Sequence, residues 1–299
     1  MRPDLFDEEL QLPSTRQQQR LDGLVGLDEV KESLSKNAAV LLDPAALRKW
    51  ASQHHQSDLP IVRSFGQRTP LFVFAGDVGT GKSTLAETFA QKVATDHNVR
   101  ISVLRLSLRS RGTGAVGEMT RLLGEAFDEV VRRARTLEHG GVLVVVIDEA
   151  DAIAQSRELG QMHHEDRAGV NALIRGIDTL AAEGLPALVV MCTNRLAAID
   201  PAVRRRAAVE FEFTRPDEMQ RMNLLNVALE GCGIDQKDLR DLAQATGDQG
   251  NGYGHTYSDL TNRVLPGAVL HCFPDSPLSA DAIRNSIREN PPTPPFQAE

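Results

Sequence analysis

A glycine-rich motif in the first third of the chain constrains the fold more than any other feature. It reads Gly76-Asp77-Val78-Gly79-Thr80-Gly81-Lys82-Ser83, follows the apolar run at residues 71–75 and precedes a helical pattern at residues 83–93. A strand, a glycine-rich loop and a helix in this order form a phosphate cradle, because the glycines let backbone N–H groups curl around the anion. Lys82 would reach the β and γ oxygens of a nucleoside triphosphate, and the Ser83 hydroxyl would ligate Mg²⁺. We name residues 76–83 the phosphate loop.

The segments around this loop alternate between strands and helices. Apolar, β-branched runs occupy residues 71–75, 101–106, 142–147, 187–192 and 209–213, and helical patterns separate most of them. Continuous apolar strands belong in a sheet that is covered on both faces, and the alternation implies parallel pairing through right-handed crossovers. We therefore predict an α/β fold with a parallel sheet flanked by helices.

The rest of the chain divides around this α/β region. Beyond residue 216 only helical patterns occur, at residues 217–230, 235–246, 256–272 and 280–288. We expect an N-terminal extended arm (1–20), a large α/β nucleotide-binding domain (21–215), a smaller helical lid (216–290) and a Pro-rich tail (291–299).

A second motif ends the apolar run at residues 142–147 with Asp148 and Glu149. In folds of this kind, a strand that ends in carboxylates lies next to the phosphate loop. Asp148 would then hold Mg²⁺ through water, and Glu149 would polarise the water that attacks the γ-phosphate of ATP. Asp151, two residues on, is expected to cap the following helix.

Composition argues against several other classes of protein. The formal charge of −8 and the aromatic content of 4% oppose binding to nucleic acid. The three cysteines, Cys192, Cys232 and Cys272, show no CxxC spacing, which favours a reducing compartment over a disulfide framework or a zinc site. No stretch approaches the roughly 18 apolar residues of a membrane span, so we expect a cytoplasmic protein without membrane contact.

These motifs, together with Asn194 at a strand end and the arginines that follow, resemble the AAA+ ATPase module from about residue 24 to about residue 269. The resemblance implies that Asn194, at the sensor 1 position, orients the attacking water. It also implies that Arg205 or Arg206 enters the site of a neighbouring subunit as an arginine finger, which requires a closed ring. The family norm is a hexamer. The sequence does not decide which of the two arginines is the finger.

Further residues are assigned through the same resemblance. The adenine pocket would use Val25 and Gly26. ATP and Mg²⁺ would thus contact Val25, Gly26, Gly76, Val78, Gly79, Thr80, Gly81, Lys82, Ser83, Thr84 and Asp148. No arginine occupies the sensor 2 place at the start of the segment 256–272, and Arg263, one turn later, could substitute or could be an ordinary surface residue.

Two loops resemble the segments that AAA+ unfoldases direct into the channel of the ring. The first contains Ala115, Val116 and Gly117, and Ala115 stands where the family usually has an aromatic residue. The second spans residues 161–167, and its adjacent histidines lack the i, i+4 spacing that places two metal ligands on one helix face. The missing aromatic side chain predicts a weak grip on a threaded chain.

Within the AAA+ proteins, the stretches at residues 199–207 and 257–266 are most similar to the pachytene-checkpoint ATPases, in the short bacterial form associated with CBASS anti-phage operons. This resemblance implies a HORMA-domain protein as substrate, which the ring would remodel to dismantle its signalling complex. An alternative is a nucleic-acid-engaging AAA+ protein of the clamp-loader or replication-initiator type, although acidity opposes it. A second alternative is an ATP-gated scaffold that hydrolyses slowly.

Overall fold

The structure is a computed structural model that describes residues 5–42, 44–55, 59–65, 68–107, 118–137, 140–154, 164–250 and 252–296. Its strands are β1 (Phe6–Leu12), β2 (Leu71–Gly76), β3 (Ile101–Leu106), β4 (Val142–Ile147), β5 (Ala187–Thr193) and β6 (Val209–Phe213). Its helices are α1 (Thr15–Asp22), α2 (Asp28–Leu42), α3 (Pro44–His55), α4 (Pro60–Phe65), α5 (Lys82–Thr88), α6 (Ala90–His97), α7 (Glu118–Thr136), α8 (His164–Ala182), α9 (Pro201–Arg204), α10 (Glu218–Ala228), α11 (Gln236–Ala245), α12 (Tyr257–Asp259), α13 (Leu265–Cys272) and α14 (Ala280–Glu289).

The six strands form one sheet in the order β1-β3-β4-β5-β2-β6. The pairs β3–β4, β4–β5 and β2–β5 are parallel. Every residue of β4 and of β5 is buried, as expected for strands that are covered on both faces. The predicted α/β fold is confirmed, and all five apolar runs are strands.

The position of β4 in the sheet follows from the strand order. This strand does not pair with β2, because β5 lies between them. The register sets Ala75 beside Thr193 and Ile147 beside Met191, so β2, β5 and β4 end at the same edge of the sheet. Strand order in a parallel sheet depends on crossovers between distant segments, and the local sequence around β4 therefore could not reveal it.

The segment that was expected to be an extended arm contributes a strand to the sheet. β1 pairs antiparallel with β3 at the edge. Phe6 and Leu12 are buried, and the guanidinium of Arg133 lies 5.7 Å from the Phe6 ring and 3.0 Å from the carboxylate of Glu9. The four polar residues at positions 7–9 and 11 remove the apolar pattern by which a strand is recognised in a sequence. An edge strand can contain them because it buries few of its side chains.

Contacts along the chain define two compact units. The first holds most of the sheet and helices α1 to α9, and its core includes the close packing of α7 on α8. A Cβ at Gly176 of α8 would lie 2.2 Å from the ring of Phe127 in α7, so only glycine fits there. The second unit gathers Gly23–Asp28, Gly76–Lys82 and the chain from Phe213 onward.

Helix starts in the second unit are well capped. Asp217 and Thr256 each form a capping box, and Asp235 and Ser279 accept hydrogen bonds from backbone N–H groups. The expected helix at residues 256–272 is observed, with a π-helical turn at Leu260–Val264 between α12 and α13.

Within the second unit, the chain after α14 is hydrogen-bonded to the start of the lid helix. The hydroxyl of Thr293 donates to Asp259 at 2.6 Å, and Nε2 of His255 lies 2.8 Å from the carbonyl oxygen of Asn290.

All three cysteines are free thiols. Within the described ranges, no helix has the length and apolar character needed to cross a membrane, and no cluster of three or more acidic, His and Cys side chains is arranged to hold a metal ion.

Candidate nucleotide-binding site

The backbone of the phosphate loop requires its glycines. Gly76, Gly79 and Gly81 have φ angles of 149°, 74° and 94°, which disfavour residues with a Cβ. A Cβ at Gly76 would lie 2.0 Å from the carbonyl oxygen of Phe213, and a Cβ at Gly79 would lie 2.6 Å from Oγ1 of Thr256. The glycines therefore let the loop curve and let its backbone pass close to Phe213 and Thr256.

Lys82 places a positive charge against the loop backbone. Its residue surface is only 6% exposed, and Nζ donates to the carbonyl oxygens of Gly76 at 2.9 Å and Asp77 at 2.6 Å. Thr80 is fully buried and its hydroxyl donates to the same Asp77 carbonyl at 2.8 Å. A curved backbone that exposes N–H groups, together with a fixed ammonium, can bind the negative oxygens of a polyphosphate.

The first turn of the lid helix packs directly on this loop. The N–H of Ser258 donates to the carbonyl oxygen of Gly79 at 3.1 Å. Arg263, the possible sensor 2 substitute, donates to Asp259 at 3.2 Å and to the carbonyl oxygen of Pro291 at 3.4 Å. These partners belong to the lid and the tail, which favours a structural role for Arg263.

The candidate adenine-pocket loop is fixed through Gly26. Its φ angle is 82°, and its carbonyl oxygen accepts a hydrogen bond from Nε2 of Gln220 at 3.0 Å. The hydroxyl of Tyr257 lies 3.5 Å from the same oxygen. Burial, and then the negative charges of Asp217 and Asp28, raise the pKa of Tyr257 to about 12, so the phenol stays neutral. Val25, the other expected residue, is half-buried in this loop.

Two acidic residues and an amide lie at the sheet edge in the first unit. Asp148 follows β4, and one of its carboxylate oxygens accepts the N–H of Glu149 at 3.0 Å. Glu149 is exposed and has φ 50° and ψ 44°. A left-handed conformation costs a non-glycine residue roughly 1–2 kcal/mol. The fold therefore accepts a strained backbone at Glu149, which turns its side chain out of line with that of Asp148. Asn194 follows β5 and is half-buried.

Asp151 was expected to cap the following helix, but among the described residues it lies inside the short 3₁₀ turn at Ala150–Ala152 and bonds a strand end instead. Its Oδ1 accepts the hydroxyl hydrogen of Thr193 at 3.0 Å, and Oγ1 of Thr193 accepts the N–H of Arg195 at 2.9 Å. These two hydrogen bonds connect the end of β4 to the end of β5 and orient the backbone on either side of Asn194. The pairing of positions 42 residues apart left no signal in the local sequence.

The three consecutive arginines differ in their surroundings. Arg204 is paired with Glu210, at 3.0 and 2.9 Å, and Arg206 with Asp178, at 2.8 and 3.0 Å. Hydrogen bonds to these carboxylates raise the pKa of both guanidinium groups. The side chain of Arg205 is exposed and has no hydrogen-bond or ion-pair partner in the part of the chain that the structure describes.

The remaining assigned residues are partly outside the described ranges. In the phosphate loop and at the start of α5, Val78 is exposed, while Ser83 and Thr84 are half-buried. Ala115, Val116 and Gly117, the expected channel loop, lie outside the described residues, as do residues 161–163 of the second loop.

One contact of the phosphate loop involves a residue that sequence reasoning missed. Arg215, just after β6, forms an ion pair with the side chain of Asp77 in the loop at 2.6 Å. The only sequence signal was an acidic residue at a variable position of the glycine-rich motif, and nothing linked it to an arginine 138 positions later.

Known proteins are similar to this chain in both sequence and fold. Residues 72–215 match the family "ATPase family associated with various cellular activities (AAA)". The chain is 45% identical to CD-NTase-associated protein 6 of Escherichia coli strain MS 115-1, over 98% of this chain and 96% of that protein.

Solved structures agree with this result. One chain of the E. coli MS115-1 HORMA:CdnC:Trip13 complex superimposes with a TM-score of 0.93 at 45% identity, over 98% of both chains. The structure of Rhizobiales Trip13 superimposes with a TM-score of 0.79 at 40% identity, over 97% of this chain and 100% of the other. The resemblance inferred from the sequence motifs is confirmed: this chain belongs to the CD-NTase-associated protein 6 family and is a nucleotide-binding AAA ATPase of the Trip13 type.

Proposed function

We propose that the chain hydrolyses ATP to ADP and phosphate. Lys82 and the N–H groups of the phosphate loop hold the β- and γ-phosphates, and Ser83 with Asp148 holds Mg²⁺. When bound, Mg²⁺ neutralises the charge that develops on the phosphate oxygens. Glu149 polarises the attacking water, and Asn194 orients it.

The observation that carries this proposal is the combination of the glycine cradle with the backbone of Glu149. The cradle, with the Lys82 ammonium 2.6 Å from a loop carbonyl oxygen, suits a polyphosphate. Glu149 sits in a left-handed conformation immediately after Asp148. Strained non-glycine residues concentrate at functional sites, and here the strain separates a magnesium-binding carboxylate from a water-activating one.

Arg205 is the candidate for the arginine finger of a shared site. Arg204 and Arg206 are already paired with Glu210 and Asp178, whereas Arg205 extends from the end of α9 with an exposed side chain. A guanidinium supplied by a neighbouring subunit stabilises the charge on the transferred phosphoryl group. Such sharing requires a closed ring of identical subunits, and we propose a hexamer.

The substrate that fits best is a HORMA-domain protein. A relative that this chain matches over nearly its whole length occurs in a complex described as HORMA:CdnC:Trip13. By homology, ATP turnover in this chain remodels a HORMA-domain protein, dismantles its complex with a CD-NTase and limits CBASS anti-phage signalling.

Two variants test these proposals. Lys82→Ala should abolish nucleotide binding, because the ammonium contacts phosphate directly. Glu149→Gln should bind ATP with nearly normal affinity and release no phosphate, because its carboxylate acts only on water. Equilibrium binding of labelled ATP beside phosphate release separates the two effects. Normal hydrolysis by Glu149→Gln would remove that residue from its role.

The same Glu149→Gln variant serves as a substrate trap. In ATP it should retain a purified bacterial HORMA-domain protein, whereas Lys82→Ala should not retain it. Retention of DNA with a steep dependence on salt concentration, and of no HORMA-domain protein, would instead support a nucleic-acid-engaging AAA ATPase.

A further inference from the structure

The phosphate loop carries an acidic side chain whose charge opposes its ligand. Asp77 is the second residue of the glycine-rich motif, and its side chain is only 18% exposed. Its Oδ1 accepts the N–H of Val78 at 2.8 Å and the N–H of Phe296 at 3.2 Å. The carboxylate therefore fixes the bend of the loop, and it adds a negative charge to the loop that would hold a polyphosphate.

Arg215 supplies the opposite charge to this carboxylate. Both Nε and Nη2 of its guanidinium lie 2.6 Å from Oδ2 of Asp77. The remaining nitrogen, Nη1, donates to the carbonyl oxygen of Gly254 at 2.6 Å, and the guanidinium carbon lies 5.0 Å from the centre of the Tyr253 ring. With a side chain that is 13% exposed, Arg215 is held in one orientation from three directions.

The partial burial of the pair decides how strongly it acts on a ligand. Interactions between exposed charges are weakened by water and salt, but those between partly buried groups are screened much less. An uncompensated Asp77 would thus repel phosphate groups through a medium of lower polarity than water. With Arg215 in contact, the pair is neutral overall, and the loop keeps the positive potential of its N–H groups and of Lys82.

We propose that Arg215 is a positioning residue for nucleotide binding, which neutralises Asp77 so that this carboxylate can shape the phosphate loop without repelling the phosphates. This inference rests on nucleotide binding by the loop. It predicts that Arg215 matters because of the charge of Asp77, and that the requirement for Arg215 disappears when that charge is removed.

A double-substitution experiment tests the dependence. Arg215→Gln should weaken binding of ATP roughly tenfold or more, as expected when one partner of a partly buried ion pair is removed. Asp77→Asn with Arg215→Gln should bind ATP within about threefold of the wild type, because no lone carboxylate remains. The wild type and Asp77→Asn alone complete the set, with affinity measured by calorimetry in the absence of turnover.

A ligand series supplies a second readout that a merely structural role would not change. The loss caused by Arg215→Gln should increase from adenosine to ADP to ATP, because each phosphate adds negative charge near Asp77. If Arg215 only supported the segment around Gly254, the loss would be similar for all three ligands, and Asp77→Asn would not restore affinity. Either result would overturn the proposal.

A matched control uses another lid arginine. Arg284 is paired with Asp238 and Asp281 in the same unit, and Arg284→Gln should leave the affinity for ATP unchanged. If Arg215→Gln does not yield folded protein, Asp77→Asn is compared with the double variant, and a weaker affinity of the double variant refutes the proposal. A wild type that binds no nucleotide contradicts the proposed function, whereas normal binding by Arg215→Gln contradicts only this inference.

Discussion

Asp259, in the first turn of the lid helix, offers a stringent test of how the second unit is held together. The residue is 2% exposed. Its Oδ2 accepts the N–H groups of Thr256 at 3.0 Å and Thr293 at 3.1 Å, and its Oδ1 accepts the hydroxyl hydrogen of Thr293 at 2.6 Å. Arg263 adds an ion pair at 3.2 Å. Asp259→Ala removes all of these acceptors at once.

The expected loss follows from the burial of each partner. Thr256 is 1% exposed, and leaving its N–H without an acceptor costs about 1–3 kcal/mol. Thr293 is half-buried, so that water replaces its lost bonds in part and the cost there is about 1 kcal/mol. The Arg263 side chain is 42% exposed, and such a pair contributes less than about 1 kcal/mol. We expect a decrease of about 3 kcal/mol in the free energy of unfolding.

Urea unfolding measures this loss, and hydrogen exchange at the N–H groups of Thr256 and Thr293 locates it. Asp281→Ala is the control, because this carboxylate is 87% exposed and is paired with Arg284; its effect should be within about 0.5 kcal/mol. A loss below about 1 kcal/mol for Asp259→Ala, or a loss equal to that of the control, would refute the reasoning.

The pH dependence gives a further check on the same residue. Burial would raise the pKa of Asp259, but hydrogen bonds from Thr293 and Thr256 outweigh it and hold the pKa below its ordinary value. A carboxyl group with a lowered folded-state pKa stabilises the protein above its unfolded-state pKa of about 4. The stability difference between wild type and Asp259→Ala should therefore be full at neutral pH and shrink as the pH falls below about 4.

Three further substitutions follow from the site. Gly79→Ala should weaken ADP binding at least tenfold, since a Cβ with φ at 74° would lie 2.6 Å from Oγ1 of Thr256; calorimetry showing normal affinity would contradict the loop geometry. Arg205→Ala should bind ATP without hydrolysing it, and mixing it with Glu149→Gln subunits should restore some phosphate release; assembled mixtures without activity would contradict a shared site. Val116→Asp should keep basal ATPase activity and lose release of the HORMA-domain protein; unchanged release would reject this loop as the pulling element.

The sequence predicted the parts of the site that lie together along the chain. The phosphate loop had to follow a buried strand and open a helix, and the pair Asp148 and Glu149 had to end a second strand, because phosphate and Mg²⁺ chemistry fixes these residue types at these spacings. The same local logic predicted the capped helix at residues 256–272, which begins with Thr256 and Asp259.

Features that depend on distant contacts were not predictable. The insertion of β5 between β4 and β2 comes from crossovers, which no single segment encodes. Asp151 was expected to cap a helix and bonds Thr193 among the described residues, and no feature near Arg215 in the sequence indicated that it pairs with Asp77. Each of these polar pairs depends on which strand ends the fold brings together.

The measurement that most directly tests the proposed function is the release of a HORMA-domain protein from its bound peptide by the purified chain. A fluorescent peptide bound to a purified bacterial HORMA-domain protein reports release as a loss of anisotropy. We expect the wild type to accelerate release only with hydrolysable ATP and Mg²⁺, and we expect Lys82→Ala and Glu149→Gln to leave the spontaneous rate unchanged. Release at the spontaneous rate by a wild-type enzyme that is hydrolysing ATP would contradict the proposal that this ATPase remodels HORMA-domain proteins.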